Sequence, residues 1–142
     1  MESPTSEYML LFRGSDWGKD LSPQEIQNVM SQFNHWMEEL SRHGKLKIGQ
    51  PLAPAGKVVS GKKARTIADG PFAESKEAIG GYWLLTVESF DEAVRIAGEC
   101  PMLNYGSSSI EVRPIIEKCA EMQLVEDNAT ESAAFNYEQV SG

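Results

Sequence analysis

The chain has 142 residues, 41% hydrophobic and 24% charged, the proportions of one soluble globular domain with an ordinary core. Thirteen Lys and Arg against 21 Asp and Glu leave a net charge of −8. That balance argues against a nucleic-acid backbone or an anionic membrane as the main partner, because both demand clustered cations. No signal peptide and no apolar run of membrane-spanning length stand out, and Cys100 and Cys119 form neither a CxxC pair nor a zinc spacing. The expected setting is cytoplasmic, with free thiols, no metal and no cofactor.

Residues 7–13 read as a strand whose alternate sets, Tyr8/Leu10/Phe12 and Met9/Leu11/Arg13, are both mainly apolar, so both faces are expected to be covered. Ser22-Pro23-Gln24-Glu25 has the form of a helix start, with Ser as N-cap, Pro at the first helical position and Glu three after the cap. Ile26, Val29, Met30, Phe33, Met37 and Leu40 then carry a helical stripe, and Gly44 is a natural stop. Residues 46–53 alternate, and the nearby Pro51 and Pro54 favour an edge strand. Residues 57–60 and 64–68 are two short strands joined by a tip at 61–63.

The chain pivots on residues 69–82. A tight turn at Asp69-Gly70-Pro71 and the charges Glu74, Lys76 and Glu77 precede a glycine pair, Gly80-Gly81, at the head of an apolar strand over 82–87. Adjacent glycines there predict a bulge or a close backbone approach. Ser89-Phe90-Asp91-Glu92 predicts a second capping box, with Phe90, Ala93, Val94 and Ala97 as the helix's core stripe. Residues 109–116 are the last strand, with Ile110/Val112 on one face and Glu111/Arg113 on the other. From residue 117 six acids face a single lysine, a net −5. A domain over 1–117 and an acidic extension over 118–142, with a partner subunit as one surface for it to pack on, are the expected organisation.

The order β-α-β, hairpin, β-α-β predicts an α+β fold: a ferredoxin-like sandwich, an antiparallel sheet with two helices on one face. Two helices cover one face, yet the first strand and the 82–87 strand are apolar on both. A homodimer with its sheets face to face covers the second and encloses a cavity.

Asp69-Gly-Pro-Phe72, Ala73-Glu-Ser-Lys-Glu77, Gly80-Gly-Tyr82, Pro101 and Glu111-Val-Arg-Pro114 resemble the YCII-related family, in particular its DGPF-motif branch, over about residues 8–116. The resemblance implies a dimeric α+β barrel. It implies little chemistry: members are predicted small-molecule enzymes or binding proteins, and some stand beside or are fused to extracytoplasmic-function sigma factors. Some relatives are thought to use a His–Asp pair. Here His35 lies opposite the helical stripe and His43 at the helix's last turn, so neither is expected on the sheet.

The candidate catalytic residues are Asp69 or Glu74 as general base and Arg113 as electrostatic clamp; Lys76, Glu77, Tyr82 and Glu111 are candidate ligand contacts. The competing structural reading makes Glu111 and Arg113 a mutual ion pair, Asp69 a turn residue bonding its own backbone, and Tyr82 core filler. Cys100 has no base beside it. The expectation is a homodimer binding a small organic molecule in a polar pocket near 69–82. The alternatives are cofactor-independent isomerase- or lyase-like acid–base chemistry there, or a regulatory protein acting through its tail.

Overall fold

The computed structural model describes residues 5–14, 16–71 and 78–116. The acidic extension lies outside them. Strand β1 (Ser6–Arg13) is followed by helix α1 (Pro23–Arg42), edge strand β2 (Leu46–Pro51), a hairpin of β3 (Lys57–Ser60) and β4 (Thr66–Asp69), strand β5 (Ile79–Val87), helix α2 (Phe90–Gly98) and strand β6 (Ser109–Pro114). The four long strands form one antiparallel sheet in the order β2-β5-β1-β6, and β3-β4 is a separate two-stranded unit. This is the α+β, ferredoxin-like plan.

Helix α1 starts as its sequence dictates. The Glu25 amide donates to Ser22 Oγ (3.2 Å) and the Ser22 amide donates to Glu25 Oε1 (3.0 Å), so two end donors are satisfied reciprocally. Helix α2 forms only half of that device. The Glu92 amide reaches Ser89 Oγ (3.1 Å), but the Glu92 carboxylate turns to the Glu88 amide (3.0 Å) and to Lys45 Nζ (2.8 Å). A cation from the segment between α1 and β2 outbids the cap's own amide. The Lys45 ammonium and the Glu88 amide hold the Glu92 carboxyl below its ordinary range.

One face of the sheet meets both helices. Tyr8, Leu10, Trp83, Leu85 and Val87 pack with Trp36 and Leu40 of α1 and with Ala93, Ile96 and Ala97 of α2. The stripes differ in detail from the periodicity. On α1, Trp36 is buried and Met30 is exposed; on α2, Ile96 is buried while Phe90 and Val94 are exposed. A 9-residue helix rolls to place its small residues, Ala93 and Ala97, against the sheet, which turns Phe90 and Val94 outward. Strand β4 begins two residues later than expected, so the hairpin tip is longer and carries left-handed Lys63 (φ 59) and Ala64 (φ 55).

The glycine pair does both things expected of it. Phe12 pairs with Gly81 but Arg13 with Ile79, so Gly80 is the extra residue of a bulge. At Gly81 a Cβ would stand 3.0 Å from the Gln50 carbonyl oxygen, so β2 and β5 approach closely only without a side chain. Strand β5 consequently starts at Ile79, earlier than Tyr82.

On the other sheet face, Met9 is opposite Leu84 and Leu11 opposite Tyr82. These four are half-buried and Ile48 beside them is 45% exposed. No described element covers this face.

Candidate functional site

A cleft of about 1240 Å³ opens at the end of the sheet where the bulge lies. Helix α1 supplies Met30, Phe33 and Met37, and the sheet supplies Phe12, Trp83 and Ile110. The single 3₁₀ turn at Pro101–Asn104 adds Met102 and Leu103, and the base of the hairpin adds Val58, Asp69 and Gly70. Concave, mostly apolar clefts with a few polar groups are where small molecules bind.

Trp83 organises the floor. Its ring centroid is 5.3 Å from Phe12, 5.5 Å from Phe33 and 4.4 Å from Trp36, in tilted and edge-to-face contacts. The indole lies flat over β2, where Gly49 makes room for it. A methyl group at 49 would overlap Trp83 Cδ1 and stand 2.8 Å from Nε1.

Two loops are latched together on one wall. Asp16 Oδ1 accepts the Ser107 amide (2.9 Å) and Oδ2 accepts Ser107 Oγ (3.0 Å), while Gly106 (φ +61) leaves the carboxylate its space. Those Ser107 donors hold the Asp16 carboxyl below its ordinary range. The latch fixes Trp17 and Ser108, both of which border the cleft. Ser108 Oγ is buried and has no hydrogen-bond partner among the described residues, as is also true of Trp36 Nε1 behind Trp83.

Cys100 borders the cleft as a free, buried thiol, 3% exposed, and burial pushes its pKa up. A protonated thiol in apolar surroundings is a poor nucleophile. Among the described residues, no group of three His, Cys, Asp or Glu side chains could hold a metal ion.

The residues singled out in the sequence are divided between two surfaces. Asp69 lies at the cleft rim, with its carboxylate paired to Lys57 Nζ (2.7 Å) and both side chains exposed. Tyr82 borders the cleft at its strand end, but its side chain belongs to the sheet face opposite Trp83. Glu111 and Arg113 stand on that same outer face and do not line the cleft. Arg113 Nη1 donates to Glu111 Oε2 (2.9 Å), as the structural reading has it, and Arg13 Nη2 stands 3.1 Å from Glu111 Oε1. The Arg113 and Arg13 guanidiniums hold the Glu111 carboxyl below its ordinary range. Glu74, Lys76 and Glu77 lie outside the described residues. Sequence reasoning missed Arg13 as a partner, although its alternation with Met9 and Leu11 places it on the Glu111 face. It also missed the cleft's own wall: Met30, Phe33, Met37 and Met102 looked like ordinary packing.

A family model, the YCII-related domain, matches residues 7–118. A protein of Rhizobium meliloti (strain 1021), described only as uncharacterized, is 34% identical over 104 residues, covering 71% of this chain and 81% of its own length.

Proposed function

The chain belongs to the YCII-related domain family, and from that premise we propose that it binds a small organic molecule in the cleft between α1, the bulged end of β5 and the base of the β3-β4 hairpin. The observation that carries this reading is the aromatic floor of an accessible cleft: Phe12, Phe33 and Trp83 border about 1240 Å³ that no described side chain fills. Among the described residues, Asp69 stands at the cleft rim, while Glu111 and Arg113 stand on the outer sheet face. The working unit is a homodimer joined through the open sheet face, supported by the half-buried Met9, Leu11, Tyr82 and Leu84 and the exposed Ile48. A cytoplasmic setting fits the buried free thiol of Cys100, and no described helix is long and apolar enough to cross a membrane.

Native mass spectrometry of the full chain, purified without added ligand and compared with Met30→Glu, tests the reading. Met30 is exposed on α1 and borders the cleft, so the variant charges the wall without emptying the core. The expected result is a reproducible small-molecule adduct, or binding recovered from a metabolite mixture, that Met30→Glu loses. An adduct retained by Met30→Glu and lost in Arg113→Ala would move the site to the sheet face and contradict the proposal.

A further inference from the structure

The outer side of the β3-β4 hairpin is a second surface, independent of what the cleft binds. Its tip, residues 61–65, gathers Lys62, Lys63 and Arg65, all exposed. In a chain of net charge −8, cations are expected beside acids, and Lys45, Lys47, Lys57 and Arg113 each have a carboxylate at 2.7–2.9 Å. The tip cations have no such partner among the described residues. Below the tip, Val59 pairs directly with Ile67, and the two are 57% and 61% exposed. Strand alternation puts them on the face opposite Val58, which borders the cleft. An uncovered apolar pair thus adjoins a cationic tip.

The complementary pattern lies in the acidic extension. Met122, Leu124 and Val125 run directly into Glu126 and Asp127, with Glu131 close behind. The extension leaves the sheet where Pro114 lies opposite Tyr8, the end of β1 far from the bulge. The hairpin joins at the bulged end, where the Leu52 amide donates to the Gly80 carbonyl. Nine-residue β5 is about 30 Å long, and the hairpin adds about 13 Å. Fully extended, the chain from Pro114 to Glu131 covers up to about 55 Å, so its acids have the length to reach the tip. Because the extension is tethered, it meets the hairpin at a high effective concentration. Exposed ion pairs that are weak singly then act together with the apolar contact beside them.

We propose that the acidic extension of each chain docks on its own β3-β4 hairpin. Glu126, Asp127 and Glu131 meet Lys62, Lys63 and Arg65, and the apolar run from Met122 to Val125 covers Val59 and Ile67. The base of that hairpin supplies Val58, Asp69 and Gly70 to the cleft, so the docked extension braces one cleft wall from outside.

Zero-length carbodiimide cross-linking of the full chain, as an equal mixture of unlabelled and isotope-labelled protein, tests this by peptide mass mapping. The expected result is Lys62 or Lys63 joined to Glu126, Asp127 or Glu131 within chains of one label, the yield falling about three-fold or more at about 0.5 M salt. In the full-length Glu126→Gln/Asp127→Asn/Glu131→Gln variant, hydrogen exchange of Lys57–Ser60 and Thr66–Asp69 is expected to quicken about five-fold, with Ile79–Val87 unchanged. Links in hybrid pairs of one light and one heavy chain would move the extension to a second copy and overturn the own-chain docking. Lys62 and Lys63 unlinked, or linked only to Glu74 or Glu77, would overturn the docking altogether, as would hairpin exchange unchanged in the variant.

Discussion

Gly49 and Trp83 form the contact on which the cleft depends. The indole covers the glycine so closely that Gly49→Ala must displace Trp83, and the aromatic contacts around it move together. Overpacking of this kind costs about 1–3 kcal/mol. Urea unfolding should show that loss in Gly49→Ala, accompanied by a red-shifted tryptophan emission; an unchanged midpoint and spectrum would mean that the indole lies elsewhere. Glu111 offers a second residue-scale test. Its carboxyl is held below the ordinary range by Arg113 and Arg13, so the folded state binds its proton less readily than the unfolded chain. The stabilisation is therefore present above the ordinary glutamate range, about 4.3, and is lost as pH falls through the lower folded value. Glu111→Gln should flatten the pH dependence of stability below about pH 4.3 relative to the unsubstituted chain, with little change in slope near neutrality. A slope unchanged in the acid range would contradict the ion pairs.

The elements differ in how much of their shape is local. Helix α1 announces itself at Ser22, and Ser22→Ala should lower stability by about 1 kcal/mol in chemical denaturation, since the Glu25 amide loses its side-chain partner. The hairpin is less secure. Every residue of β3 and β4 is exposed, and a lone two-stranded unit is marginal in water. Hydrogen exchange should therefore release the amides of Lys57–Ser60 and Thr66–Asp69 well before those of Ile79–Val87. Ala64, at φ 55, bears a left-handed backbone that glycine adopts freely; Ala64→Gly should slow exchange in the hairpin rather than speed it. The strands, the helices and the glycine bulge were legible in the sequence because caps, alternation and turn residues act over a few positions. Partner choice was not. Lys45 diverts Glu92 from its cap across 47 positions, and Arg13 joins Glu111 across 98, contacts that exist only once the sheet order is set. The cleft escaped for the same reason. Phe33 and Trp83 are each good core residues in their own element, and only the folded chain brings them to the border of one cleft.

At the scale of the molecule, two surfaces compete for the meaning of this fold. The outer sheet face, with Met9, Leu11 and Leu84 at its centre and the Arg13–Glu111–Arg113 group to one side, has the apolar middle and charged margin of a subunit interface. Leu84→Lys, a half-buried position away from the helices, should convert a dimer to a monomer in light scattering at unchanged helix content; a dimer that persists would remove the face from consideration. The cleft lies on the helix side, open at one end of the sheet. NMR titration of the full chain with the small molecule recovered as the mass-spectrometric adduct, following the three indole N–H signals and the backbone amides, separates the two surfaces directly. The account predicts saturable shifts at Trp83 and Trp17 and at the Ser108 amide, with the amides of Glu111 and Arg113 unmoved. Shifts centred on Glu111, Arg113 and Leu84, with the Trp83 indole silent, would contradict it.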